Sequence, residues 1–434
     1  MDRQRIAVPY AGGLAETEAP SGAKVLWAHA PIGTETDPRD MITRALAAPR
    51  AQSLVPSVFR PVLDPSTDGR MVVVVNDATR PTPTGLALEA LRSRGLLPET
   101  AVKSGRVEIL VATGSHARGT DSDLEQILGS ANMEALSAAV RWHDGHDAAA
   151  HVYLGKTQRG TPVWVDRAVV TAHSLVLINS VEPHYFAGYT GGRKSIVPGV
   201  AGFATIEANH RFALDPAADI LALAGNPVHE DLEEAVAMLR VGPLFSIQLV
   251  LDGAQVATAA FAGGLHETFA SAVDAAARAF VVDIPHRFDI VVTTAAPPMD
   301  YDLYQSQKAL ENAAQAVRPG GALILVSGCR HGIGGRAFFD LLAAAGNPDA
   351  ALRAAHASYR LGYHKAARLA SLAQQFRLLA VTGLQPHESR TVFLEPFRTL
   401  DEALAAAQAD LGPEPSILVL PDGCVTVPRV KGAS

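Results

Sequence analysis

Short apolar runs that end in loops of polar residues and glycine recur along this chain, and they constrain its fold more than any other feature. Met71–Asp77 (MVVVVND), Val107–Gly114 (VEILVATG), Ser174–Ser180 (SLVLINS) and Phe245–Asp252 (FSIQLVLD) are four of them. Phe288–Ala295, Ala322–Gly328, Phe376–Gly383 and Ser416–Gly423 follow later. They are continuous and rich in β-branched residues rather than alternating, which is the pattern of strands covered on both faces in a mostly parallel sheet. Between them lie stretches with apolar residues at helical spacing: Thr84–Gly95, Asp121–Ser130, His229–Arg240 and Tyr304–Val317. The rhythm predicts an α/β fold.

At 434 residues the chain is long enough for two such domains. A boundary is expected near Phe280–Asp289, where an alanine-rich helix gives way to a new strand–loop–helix series. This predicts an N-terminal α/β domain over 1–285 and a C-terminal α/β domain over 286–415. The tail 416–434 is expected to return to the first domain.

The formal charge of −7, with no Lys/Arg block, speaks against nucleic acid as a partner. No apolar run approaches the roughly 18 residues of a membrane span, so no membrane partner is expected. The N-terminal residues lack the apolar stretch of a secretory signal, and the expectation is a cytoplasmic protein. Cys329 and Cys424, the two cysteines, are too few for a disulfide framework or a four-cysteine zinc site. Oligomeric state is left open.

In open α/β sheets ligands bind beyond the carboxyl ends of the strands. The residues there form a pattern. Asp77, Thr79 and Arg80 follow Met71–Val75, and His116 follows Val107–Ala112. His184, Lys194 and His210 follow Leu175–Ile178. Tyr304, Gln305 and Lys308 follow Ile290–Thr293, and GCRHGIGG follows Ala322–Ser327. Each group alone has a bland reading: DATRP as a turn with a surface ion pair, a histidine as a solvated loop residue, YQSQK as an exposed helix start. The recurrence at five strand ends points to a shared site.

The glycines of GYTGGRKS (Gly188–Ser195) permit positive φ or close approach to a ligand. The segment misses the phosphate-binding pattern GxxxxGK[ST], because Arg193 stands where the second glycine is required. It also lies too far from its strand. No GxGxxG and no HExxH is present. Arg80, Gln305 and Lys308 suit a small anion, since guanidinium grips a carboxylate or phosphate in bidentate fashion. Histidine is the side chain suited to exchange a proton at physiological pH, which makes His116 and His184 candidate bases. Two such bases on opposite sides of one carbon are what a racemase or epimerase needs.

On DATRP, TGSH, EPHYFAGYTGGRKSIVPG, EANH and YQSQK, in this order, the chain resembles the nickel-pincer lactate racemases and their relatives over nearly its whole length. The resemblance implies an active site in the cleft between the two domains. It implies a pyridinium-3-thioamide-5-thiocarboxylic acid mononucleotide joined covalently to Lys194. That cofactor would hold nickel through two sulfurs and a ring carbon, with His210 as the protein's ligand. Asp77, Thr79, Gly191 and Gly192 would lie on the cofactor. Catalysis would fall to His116 and His184, and substrate binding to Arg80, Tyr304, Gln305 and Lys308. The reaction implied is racemisation or epimerisation of a 2-hydroxy acid by reversible hydride transfer through a 2-oxo acid. Separate maturation enzymes would be partners.

The resemblance further implies a tryptophan in the second domain of lactate-specific enzymes, whereas this chain's tryptophans are Trp27, Trp142 and Trp164. Tyr359, Tyr363 and His364 are candidates for that place, and a substrate larger or more polar than lactate is expected. The alternative class is a phosphate- or nucleotide-handling α/β transferase that uses Gly188–Ser195 without nickel. A degenerate relative that only binds 2-hydroxy acids is a third.

Overall fold

The computed structural model describes residues 4–21, 23–28, 36–64, 66–412 and 414–432. Within them the chain forms two compact units, one of residues 36–279, the other of residues 4–28 together with 280–432.

The unit of residues 36–279 is built on a six-stranded sheet in the order Ala257–Gly263, Leu244–Leu251, Ser174–Ser180, Met71–Asn76, Val107–Ala112, Val140–Trp142. All neighbours are parallel except the edge strand Ala257–Gly263. The predicted runs are strands here because helices and loops cover both faces: Val72, Val73, Val74 and Val75 are all fully buried. Met71, Val73, Val75, Ile109, Val111, Val176 and Ile178 share one face, as period-two side chains must, and pack on Ile42, Phe59, Leu88 and Leu91 from three helices. After Met71–Asn76 the chain moves to one side of the sheet, then returns to the other side at Ser174–Ser180. The loops that leave these strands therefore diverge at a switch in strand order, the place where α/β sheets put ligands.

The other unit has a fully parallel six-stranded sheet in the order Glu395–Phe397, Arg377–Thr382, Val317–Ser327, Phe288–Ala295, Ser416–Leu420, Lys24–Trp27. A hairpin of Arg5–Tyr10 and Gly13–Glu18 buries Ile6, Val8 and Ala15 in the same core as Ile290, Ile324 and Val419. Residues 4–28 and 416–432 therefore lie in the second unit, not in the first domain where the sequence placed them. Ser416–Leu420 pairs with the second domain's Phe288–Ala295 in the register Ile290↔Ile417, and Lys24–Trp27 pairs with it in turn. Asp289 fixes that register by accepting from the Ser416 amide and hydroxyl at 2.8 and 2.6 Å. An apolar run buried on both faces needs a strand partner on each side, and the second sheet offers one. Among the described residues no helix is long and apolar enough to cross a membrane.

Candidate active site

In the unit of residues 36–279, the loop after Met71–Asn76 carries Asp77, a buried carboxylate 2.7 Å from His116 Nδ1. Its other oxygen accepts from the Thr79 hydroxyl at 2.6 Å and the Thr79 amide at 3.2 Å. Burial alone would raise the Asp77 pKa, but the bonds from His116 and Thr79 and the charge of Arg80 hold it below the usual range. The carboxylate thus accepts the Nδ1 proton of His116 and leaves Nε2 as the basic nitrogen. Asp77 and Thr79, expected on the cofactor, are bonded to each other and, through Asp77, to His116. His116 itself is exposed, beside a cavity of ≈ 520 Å³ bordered by Ser115, Arg118, Trp142, Asp144 and His146.

His184 lies in a tight hairpin, Pro183–His184 against Gly188–Tyr189. Gly188 has φ 72°, and a Cβ there would stand 2.1 Å from the Ala222 carbonyl oxygen, so only glycine closes this turn. His184 Nδ1 accepts from the amides of Phe186 and Ala187 at 3.5 and 3.3 Å. In the neutral ring the proton therefore sits on Nε2, the reverse of His116.

Phe186, buried and not singled out from the sequence, gathers three of the predicted site residues. Its ring centre is 4.5 Å from that of His184, 5.3 Å from that of His210 and 5.5 Å from Lys194 Nζ. Lys194 belongs to a short 3-10 turn, Gly192–Ser195, and His210 ends the helix Phe203–His210. Burial, followed by the charge of Lys194, pushes the His210 pKa down to about 3, so its imidazole is neutral.

The loop that presents Lys194 is pinned from inside. Asn179, at the end of its strand, donates to Ser195 Oγ at 2.7 Å, and Gln248 on the next strand accepts from the Gly192 amide at 3.1 Å. Gly192 has φ 53° and a Cβ there would lie 2.7 Å from the Phe269 ring; a Cβ on Gly191 would lie 2.5 Å from Val181. Both glycines therefore answer to packing, and the Gly192 amide turns inward rather than toward a ligand. Arg193, fully buried, donates to the Ala187 carbonyl at 2.7 Å and lies over Phe269 at 4.6 Å. The sequence showed Arg193 only as the residue that spoils a phosphate loop. In the fold it ties His184's hairpin to Lys194's turn.

In the other unit, Tyr304, Gln305 and Lys308 occupy the first turns of the helix Leu303–Ala314, capped by Asp302, which accepts from the Gln305 amide at 2.7 Å. Gln305 is exposed and Lys308 half-buried, three residues apart on one face, while Ser306 and Gln307 are buried. Tyr304 packs edge-to-face on Phe338, with Gly334 and Gly335 against it. Burial and the charge of Asp302 push the Tyr304 phenol up to about 12, so it stays protonated. Tyr359 and His364 are bonded to each other at 2.8 Å, Oη to Nδ1, and His364 is buried. Lys365, next to His364 and missed in the sequence, packs against Tyr304.

Residues 15–220 match the lactate racemase N-terminal domain, and residues 284–427 match the lactate racemase C-terminal domain. The chain is 30% identical over 366 residues to the lactate racemase of Lactiplantibacillus plantarum, covering 81% of this chain and 83% of that one. It is 28% identical over 372 residues to the lactate racemase of Thermoanaerobacterium thermosaccharolyticum, covering 83% and 85%. The structure of the apoprotein of the latter enzyme superposes with a TM-score of 0.87 at 26% identity, over 98% of this chain and all of that one. A protein of Thermotoga maritima shares the fold alone, with a TM-score of 0.67 at 17% identity over 92% and 100% of the two chains. The chain belongs to the lactate racemase family and is an isomerase of the racemase or epimerase type.

Proposed function

We propose that this protein racemises or epimerises a 2-hydroxy acid with a nickel-pincer mononucleotide on Lys194. The observation that carries the reading is the pairing of Lys194 and His210 about Phe186, with His210 held neutral. A neutral imidazole can donate a lone pair to a metal, and nickel(II) accepts imidazole together with soft sulfur donors. Among the described residues no cluster of three or more His, Cys, Asp or Glu side chains offers an all-protein site. That donor set fits a metal whose remaining ligands come with the cofactor: Lys194 would anchor the group and His210 would complete its coordination. When bound, the group supplies a reversible acceptor for the substrate's α-hydrogen.

The chain's own residues do the rest. His116 Nε2, its partner nitrogen fixed on Asp77, takes the hydroxyl proton of one enantiomer. His184 serves as the second acid–base group, returning a proton to the oxygen of the 2-oxo acid in the opposite pose, and the long bonds from the Phe186 and Ala187 amides give way when its Nδ1 is protonated; the roles exchange for the mirror-image substrate. A base so placed contributes on the order of 10²–10⁴-fold. Arg80, Gln305 and Lys308 hold the carboxylate and the charge that develops on the oxygen. The cavity beside His116, with the polar side chains of Arg118, Asp144 and His146 on its border, supports a substrate with a larger or more polar tail than lactate. The transferase alternative is disfavoured, since the Gly192 amide is bonded to Gln248 rather than turned toward a phosphate.

The test uses protein loaded by co-expression with maturation enzymes, offered α-deuterated 2-hydroxy acids in ordinary water. Inversion with deuterium retained supports the reading. Deuterium lost to solvent means direct proton abstraction and removes the role given to Lys194 and His210. A panel of single-enantiomer acids tests the substrate, and lactate as clearly the best would overturn the larger tail.

A further inference from the structure

Lys365 is buried, at 6% exposure, in the first turn of the helix Tyr363–Gln375, and no step above uses it. Its ammonium donates to the Tyr304 carbonyl oxygen and lies 3.8 Å from the centre of the Tyr304 ring. Its own carbonyl accepts from Gln307 Nε2 at 2.9 Å. Gln307 also reaches Glu311 at 3.1 Å, and Arg368 grips Glu311 through Nε and Nη2 at 3.0 and 2.9 Å. One helix thus fastens the segment Tyr304–Glu311 at three points, and that segment presents Gln305 and Lys308. A methionine would fill the same volume without the cost of burying an ammonium, so the charge calls for a use.

We propose that Lys365 is a positioning residue for the substrate carboxylate, holding Tyr304 from beneath and adding positive charge behind Lys308. The inference rests on the reading that Gln305 and Lys308 bind that carboxylate. The titratable groups around Lys365 are Lys308 and Glu311 on the facing helix, Asp302 at its cap and the thiol of Cys424 in the loop after Ser416–Leu420. Burial and then Lys308 push its pKa down to about 7, while Glu311, Asp302 and Cys424 act the other way. An arriving carboxylate favours the charged form, so binding above neutrality draws a proton onto Lys365.

Isothermal titration of the full-length chain with pyruvate, at pH 8 in two buffers of different ionisation enthalpy, reads both affinity and proton uptake. Lys365→Met is expected to bind about tenfold more weakly and to take up about half a proton less than the wild type. Lys365→Gln keeps a donor for the Tyr304 carbonyl but no charge, so it should recover part of the affinity and none of the proton uptake. Proton uptake unchanged in both variants overturns the proposal and leaves the carboxylate reading intact. If pyruvate fails to bind the wild type, or binds Lys308→Ala equally well, that reading fails and the proposal with it.

Discussion

Asp77 Oδ2 stands 2.7 Å from His116 Nδ1, and this one bond decides which nitrogen of His116 is left with a free lone pair. The carboxylate is buried and ionised, so it locks the tautomer and stabilises the imidazolium that proton transfer creates. In Asp77→Asn the side chain fits but the charge is lost and its amide can face Nδ1. The expected result is a kcat lower by roughly 10²-fold or more with KM little changed, measured as initial rates of enantiomer inversion by loaded enzyme. An unchanged kcat would remove His116 from the role of base.

Lys194 and His210 separate under mass measurement. Intact-protein mass of Lys194→Ala, co-expressed with maturation enzymes, should show no adduct. His210→Ala should keep the adduct and lose bound nickel, because it removes a ligand and leaves the anchor. An adduct that survives in Lys194→Ala would place the covalent link elsewhere.

Arg193 is an ordinary arginine by sequence and a buried tie by structure. Its guanidinium remains charged, with burial lowering its pKa to about 10 and Glu233 opposing that. Arg193→Met strips the donor from the Ala187 carbonyl and uncouples the hairpin of His184 from the turn of Lys194. Stability should drop by about 2–4 kcal/mol in chemical denaturation. A loss under about 0.5 kcal/mol, the range of ordinary surface substitutions, would show that the tie is dispensable.

The buried Lys365 gives a pH signature in stability. Its pKa is lowered from 10.5 to about 7 in the fold. Between those values the unfolded chain binds the proton more tightly, so this position's contribution rises with pH across the window and its full cost is felt below pH 7. Lys365→Met should therefore gain most over the wild type at pH 6, and the gain should shrink by pH 9. Denaturant midpoints of both proteins at the two pH values test this, and a constant difference would mean that Lys365 does not titrate in that range.

Much of the fold was readable because its signals are local. A continuous β-branched run such as Val72–Val75 has no stable place except between covering layers, and the apolar spacing of Tyr304–Val317 marks a helix that the structure bounds at Leu303–Ala314. The family-bearing segments were readable for the same reason, since each lies within a short stretch of chain. Partners were not readable. Asp77 lies 39 residues from His116, and nothing in either segment says that they meet. Asn179 and Gln248 looked like strand residues, and only the packed sheet shows them holding the turn of Lys194. Lys365 was passed over for Tyr363 and His364 because a lysine in a helix normally points to solvent.

The sequence by itself determined which segments are strands, which residues stand at their carboxyl ends and which family pattern they follow, because periodicity and local motif need no distant contact. The tertiary structure alone decided that the tail Ser416–Leu420 and the segment Lys24–Trp27 join the second sheet, that Asp77 serves His116, and that Lys365 lies under Tyr304. Each of these is a pairing between residues far apart in the chain. Such pairings are fixed by burial and hydrogen-bond satisfaction in the packed protein, which no local propensity encodes.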